Sequence, residues 1–235
     1  ARITAELAAD LRRPVLRWLA GWVEAGVAHL DGQPDEALAR LYSTLELGRT
    51  LSLYDADSVS LTQRCGLVAT GAVIPGFEEE LAGAADGYHT YRCFFALARA
   101  RGGATDDARA VFAPLAGDGF ASLPQDPGWM ASLVGAALTA FELRDTDTAA
   151  ALVPLLSPYA DQMVVAAAMP FGAVSHYLGL LCAFLGDRDR AGAFFAAAAE
   201  IHARMAAPTF LACTERERAR LLPPAVSDGS DPGTL

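Results

Sequence analysis

The run from Ser175 to Ala191 constrains the fold more than any other part of the chain. It reads as an apolar helix, a Gly186-Asp187 turn, and a second helix whose first core residue is Ala191. The same layout recurs at Asp31-Gly32-Gln33-Pro34 before Ala37, Gly103-Ala104-Thr105 before Ala108, and Arg144-Asp145-Thr146 before Ala149. A weaker version runs from Gly71 through Pro75 to Gly76. These five anchors lie roughly forty residues apart, the period of a stacked helical hairpin. Glycine in the turn takes the left-handed conformation that stops the first helix. Asp or Thr then caps the second, and Pro34 and Pro75 suit a first turn, where a missing N–H is harmless. A small anchor lets the two helices approach closely.

Around each anchor the apolar residues recur at three and four: Ala37, Leu41, Thr44, Leu45; Ala108, Val111, Phe112, Leu115; Ala191, Phe194, Phe195, Ala198. That is helix periodicity. Apart from Met163-Val164-Val165, every β-rich run falls inside such a helix. The expectation is therefore all-α, with eleven or twelve helices and no sheet. The expected map is a helix over about 2–11, then pairs at 14–31/34–48, 56–70/75–85, 88–102/105–116, 128–143/146–157 and 170–186/188–206. A closing helix at 208–222 puts Glu215, Arg216 and Arg220 on one face and Leu211, Leu221 and Leu222 on the other, as a solvent-facing cap should. The links at 117–127 and 158–169 are rich in Gly, Pro, Asp and Ala. One repeat domain over 1–222 is expected, with 223–235 as a disordered tail or linker. The chain begins at Ala1 inside an expected helix, which points to a fragment of a longer protein.

Composition narrows the function classes. Hydrophobic residues make up 53% of the chain, enough to bury a core, and much of that share is alanine, as closely packed helices require. All 18 cationic residues are arginine, and asparagine is absent too; both point to a high-GC bacterial genome. A net charge of −10 opposes nonspecific nucleic-acid binding, because phosphate backbones demand clustered cations. The one late basic cluster, Arg216, Arg218 and Arg220, is interleaved with Glu215 and Glu217. Cys65, Cys93, Cys182 and Cys213 form no CxxC pair and fall within expected helices, so they read as small buried hydrophobes of a reducing cytosol. No signal peptide is visible, and charges interrupt each apolar run before it could span a bilayer. A cytoplasmic protein without membrane contact is expected.

The pattern resembles tetratricopeptide (TPR) repeats, carried by Leu178-Gly179, Gly186, Ala191, Phe195 and Ala198. More narrowly, it resembles the helical-repeat region of large actinobacterial regulators that join such repeats to a STAND or AAA-like ATPase. Some of those end in a LuxR-type DNA-binding domain, and others start with a nucleotide cyclase. The residues carrying this are Trp129-Met130-Ala131, Leu156 to Ala160, Val164-Val165, Tyr177 to Ala191, Ala207-Pro208 and Ala219 to Leu222, with weaker echoes over about 14–116. Two positions depart from the pattern: Cys213-Thr214 stands where an Arg-Thr pair is usual, and Arg144 replaces the turn glycine. The resemblance implies a right-handed superhelix of about five TPR-like pairs plus a capping helix. It also implies a regulatory, protein-binding role. No P-loop occurs in this chain, nor a helix-turn-helix reader.

Chemistry is sparsely signalled. His29, His89, His176 and His202 show no metal spacing, no GxSxG elbow occurs, and no Ser or Cys has an activating context. Glu78-Glu79-Glu80 reads as negative charge at a helix start, where the dipole favours it. Trp18, Trp22 and Trp129 read as inter-helix packing, and Tyr159 as a pin holding the long loop on the stack. Repeat register places Trp22, Gly26, His29, Leu61, Cys65, Cys93, Leu97, Arg101, Leu138, Glu142, His176 and Leu180 on the inward face of the first helices. Trp22, His29, Arg101, Glu142 and His176 are its binding candidates, for an amphipathic partner helix or a small effector. Burial of this face by superhelical closure or by a neighbouring domain is the competing reading. The leading expectation is a non-catalytic interaction module of a bacterial regulator, whose partner is a protein or a neighbouring domain. A small-molecule sensor is the alternative, and an all-α enzyme a third class; no cofactor or metal is implied.

Overall fold

In the computed structural model, residues 3, 6 and 13–223 are described. The expected helix over about 2–11 and the tail at 223–235 lie outside them, save for Ile3, Glu6 and Pro223. Ten of the described helices form consecutive pairs: α1 (Pro14–Leu30) with α2 (Pro34–Thr50), α3 (Ala56–Ala69) with α4 (Phe77–Ala84), and α5 (His89–Arg101) with α6 (Thr105–Ala116). Then come α7 (Trp129–Glu142) with α8 (Thr146–Leu156), α9 (Val174–Phe184) with α10 (Arg188–Arg204), and a closing α11 (Pro208–Leu221). The chain is predominantly helical, as the periodicity requires.

Local chemistry accounts for the breaks. Pro14, Pro34 and Pro208 open α1, α2 and α11. Gly32, Gly103 and Gly186 all have positive φ in the turns that follow α1, α5 and α9, as expected of C-terminal stops. The Asp145 carboxylate accepts from the Thr148 N–H at 3.1 Å, and that of Asp187 from the Arg190 N–H at 3.2 Å. Each cap satisfies an orphan amide at its helix start.

Four of the five anchors behave alike. Ala37, Ala108, Ala149 and Ala191 are fully buried, each at the fourth residue of its helix. Gly76 does not: it precedes α4 with φ +74°, and a side chain there would meet open space. Phe77 and Leu81 supply that pair's contact instead. Other small residues set helix spacing. A Cβ at Gly179 would lie 2.7 Å from the Phe195 ring, and one at Gly135 would lie 2.9 Å from Phe94, so α9 and α7 approach their neighbours only because these side chains are missing.

Buried hydroxyls tie first helices to one another. Thr62 Oγ1 and Tyr91 Oη lie 3.0 Å apart between α3 and α5, and Thr90 Oγ1 and Ser132 Oγ 2.8 Å apart between α5 and α7. Thr139 Oγ1 donates to the Cys93 carbonyl at 3.0 Å. The Arg64 guanidinium, buried against Tyr42 and Phe77, grips Glu80 through two bonds of 2.7 and 2.6 Å.

One element departs from the all-helical expectation. Strands β1 (Met163–Ala166) and β2 (Met169–Ala173) form an antiparallel hairpin, so a small sheet exists and α9 begins at Val174 rather than near 170. The two turn residues, Ala167 and Ala168, have φ of +49° and +59°, the geometry of a tight hairpin turn. The hairpin lies against α1, α3, α7, α9 and α10. Gly26 and Gly66 seat it: a Cβ on Gly26 would stand 2.0 Å from the Ala168 carbonyl oxygen, and one on Gly66 would stand 2.5 Å from Met169. Gln63 Nε2 donates to the carbonyls of Ala167 at 2.8 Å and Trp22 at 3.1 Å. Met169, Phe171 and Ala173 are wholly buried. Beyond the hairpin α11 reaches back to α1, where Phe210 stacks edge-on to His29 with centroids 4.9 Å apart.

Candidate functional site

The inward face expected from repeat register divides in two. At its N-terminal end the chain covers itself with the hairpin. His29 is fully buried against Phe210, and neither ring nitrogen has a hydrogen-bond partner among the described residues. Burial lowers its pKa to about 4, although the Gly66 carbonyl approaches the ring and partly opposes the shift without hydrogen-bond geometry. Trp22 is half-buried, edge-on to Trp18 at 4.4 Å, and its indole N–H has no hydrogen-bond partner among the described residues. Leu61, Cys65, Cys93 and Leu97 are core. These positions form interior packing rather than an open groove.

The other three candidates converge. Arg101 at the end of α5, Glu142 at the end of α7 and His176 in the first turn of α9 border one pocket of about 100 Å³, together with Leu138, Leu180, Phe141 and the inner side of α11. Arg101 Nε donates to Glu142 at 3.1 Å, and its Nη1 to the Val68 carbonyl at 3.0 Å. The second bond places a cation at the C-terminal end of α3, where the helix dipole is negative. Glu217 accepts from Arg220 Nε at 2.8 Å and Nη2 at 2.5 Å, while the Arg220 guanidinium lies 5.4 Å from the Phe141 ring. Arg216 holds Glu217 only at 3.5 Å and points Nη2 at the Cys213 sulfur, 3.2 Å away.

A buried polar chain backs this pocket. The Ala173 N–H donates to His202 Nε2 at 2.9 Å; Thr214 Oγ1 lies 3.2 Å from His202 Nδ1 and 3.0 Å from His176 Nδ1. Burial drives the His176 pKa down to about 3, helped by the charge that His202 would carry when protonated and by the Arg216 guanidinium. Burial likewise takes His202 down to about 4, against the Phe210 carbonyl. Both rings are therefore neutral near pH 7.

Residue spacing did not reveal this chain, because its members are 38 and 12 positions apart. Cys213-Thr214, the pair departing from the repeat pattern, was the one signal present. Nor is α11 simply a solvent-facing cap, since Thr214 is fully buried and Arg216 and Arg220 border the pocket.

Other singled-out residues are structural. Trp129 packs edge-on to Tyr159 at 5.4 Å, pinning the loop before β1. Glu78 pairs with Arg99 at 2.8 Å and Glu80 with Arg64. Burial raises the pKa of all four thiols, Cys93 to about 12, so each is a thiol rather than a nucleophilic thiolate near neutrality. Among the described residues no three His, Cys, Asp or Glu side chains gather to hold a metal ion. No helix among them is long and apolar enough to cross a membrane.

A second hollow of about 510 Å³ opens beside the pocket, between the α3–α4 loop and the end of α5. Val68, Ile74, Phe77 and Ala98 line it, Arg101 and Glu78 lie at its edge, and Val73 stands 91% exposed on its rim. No protein-family model matches the chain, and no curated protein or solved structure is detectably similar to it.

Proposed function

We propose that the chain is a non-catalytic helical-repeat module that serves a bacterial transcriptional or signalling regulator through protein contacts. Its pairs would stack as a right-handed, TPR-like superhelix in the cytoplasm. The parent would be a STAND- or LuxR-type, or cyclase-linked, actinobacterial regulator. Four buried alanine anchors at one helical position support repeat stacking. Thiols held protonated by burial support a binding role over cysteine-based nucleophilic catalysis.

The observation that carries the reading is the apolar hollow with Val73 exposed on its rim. The hairpin fills the face expected to hold a partner helix or a small effector, and this hollow is an apolar concavity left open among the described residues. It is large enough for two or three side chains of a partner element. A partner that prefers one arrangement of the helices would shift the attached domain's equilibrium by its differential affinity. The test is calorimetric titration of the chain with the regulator's remaining domains. Binding that Val73→Asp weakens at least about tenfold supports the reading, while no binding to any of those domains overturns it.

A second reading, effector sensing, is favoured by a different observation. Arg101, Glu142 and His176 come from three helices yet meet at one pocket of mixed polar and apolar lining with a buried hydrogen-bonded wall.

A further inference from the structure

We propose that the pocket between α5, α7, α9 and α11 takes a small oxyanion, a carboxylate or a phosphate, held by His176 Nε2–H and the Arg216 guanidinium. The proposal rests on the effector-sensing reading and names the chemistry of its ligand.

One donor in the buried polar chain cannot change. The Ala173 backbone N–H points at His202 Nε2, 2.9 Å away, so that nitrogen presents a lone pair. A neutral imidazole then carries its proton on Nδ1. His202 Nδ1–H donates to Thr214 Oγ1, which leaves the threonine hydroxyl proton free to donate to His176 Nδ1 at 3.0 Å. His176 Nδ1 is thereby an acceptor, and its remaining proton sits on Nε2. The backbone of β2 thus sets the tautomer of a histidine on α9 through two side chains, and Thr214 is the positioning residue between them.

His176 is only 6% exposed, and no acceptor among the described residues meets its Nε2. The ring borders the pocket, and Nε2 is not among the enclosed atoms without a partner, so it opens toward the pocket, where a ligand or water supplies its acceptor.

Charge bookkeeping identifies the acceptor's sign. Arg101 is engaged by Glu142 and the Val68 carbonyl, and Arg220 holds Glu217 by two short bonds. Arg216 has only a 3.5 Å contact to that same carboxylate and a thiol sulfur, a weak acceptor. Of the three guanidiniums at this pocket, that of Arg216 is the least engaged. Its field reaches His176, where it disfavours a second ring proton. The volume of about 100 Å³ accepts a carboxylate or phosphate group and is well below the usual size of a cofactor cleft.

The experiment is nitrogen-15 NMR of the full chain, which reads histidine tautomers directly, with sodium acetate and inorganic phosphate as probes and glycerol and methylammonium as comparators. His176 is expected as the Nε2–H form and His202 as the Nδ1–H form. Acetate or phosphate should shift the His176 Nε2 resonance saturably. Arg216→Gln should weaken that response by about tenfold, while Arg218→Gln should leave it unchanged. The Arg216 side chain is 63% exposed, so its replacement spares the fold. A response to acetate alone specifies a carboxylate ligand, and one to phosphate alone a tetrahedral one.

A His176 Nδ1–H tautomer in the unsubstituted chain overturns the proposal without need of any variant. So does an anion response that Arg216→Gln leaves intact. If glycerol or methylammonium shifts the resonance and the anions do not, the oxyanion assignment falls and the effector pocket stands. If no probe shifts it, both fall.

Discussion

Among the described residues, Ser52, Arg144 and Ala206 hold a left-handed backbone just after α2, α7 and α10, with φ between +50° and +55°. Gly32, Gly103 and Gly186 occupy the same place after other helices. A side chain in this region is disfavoured by roughly 1–2 kcal/mol, and glycine escapes that penalty at a smaller cost in unfolded-chain entropy. Arg144 has a compensation, since its guanidinium lies 4.8 Å from the Phe184 ring. Ala206 has none, so Ala206→Gly should stabilise the chain by about 0.5–1 kcal/mol, read as a higher urea midpoint at unchanged slope. The buried histidines act in the opposite sense. His29, His176 and His202 have pKa values of about 4, 3 and 4, against an ordinary 6.5. Because the unfolded chain binds these protons more readily, their contribution to stability is constant above pH 6.5 and falls as pH drops through the window from 6.5 toward 3 to 4. Across its full window each of His29 and His202 accounts for on the order of 3 kcal/mol and His176 for on the order of 5 kcal/mol. Urea unfolding at pH 7, 5.5 and 4.5 should show that decline. His29→Leu removes a ring with two unpartnered nitrogens, so it should shrink the decline and leave stability at pH 7 equal or higher. A decline of unchanged size in that variant would show that His29 is hydrated and titrates normally.

The hairpin is the element on which the interior depends, and Gly26 is its most exacting contact. Glycine inside a helix ordinarily costs about 1 kcal/mol relative to alanine, which predicts that Gly26→Ala should help α1. The opposite is expected. The new methyl would stand 2.0 Å from the Ala168 carbonyl oxygen, and both atoms belong to well-fixed backbone. Overpacking of this kind costs about 1–3 kcal/mol or more. Gly26→Ala should therefore lower the melting temperature, whereas Gly83→Ala, where a Cβ would meet nothing within 4 Å, should raise it.

The helix pairs were legible in the sequence and this hairpin was not, for a definite reason. A turn glycine, a capping aspartate and a small anchor repeat at Gly186-Asp187 and Ala191, and each part leaves its own mark on the residue pattern. The hairpin turn is Ala167-Ala168, with none of the Asn or Gly that such turns favour. Pro170 sits inside β2, where proline ordinarily argues against a strand. Every residue of β2 is buried, which erases the alternation that marks a half-exposed strand. Met169-Pro170 thus read as the start of a helix. The candidate site shows a similar split: register located Arg101, Glu142 and His176 through their helix positions, while Arg216 and Thr214 joined them through the fold-back of α11, which leaves no period to detect.

At the scale of the whole molecule, the contact between its first and last described helices sets how it should unfold. In an open stack each repeat touches only its neighbours, so terminal helices fray independently. Here Phe210 of α11 touches His29 of α1 and His202 of α10, and a Cβ on Gly172 of β2 would lie 3.1 Å from its ring. The hairpin in turn contacts α1, α3, α7, α9 and α10. One aromatic ring therefore joins the first and last described helices to the element that fills the interior. Removing it by Phe210→Ala should cost about 3–5 kcal/mol. The informative measurement is where that loss appears in native-state hydrogen exchange, which resolves cooperative units separately. Coupling through the hairpin predicts that protection falls in α1 and α2 as well as in α10 and α11, although nearly two hundred residues separate Pro14 from Phe210. Loss confined to α10 and α11 would show a linear stack whose ends happen to touch. A parallel loss at both ends would also mean that a ligand bound against α11 can alter α1, the coupling an effector pocket on that helix needs in order to act at a distance.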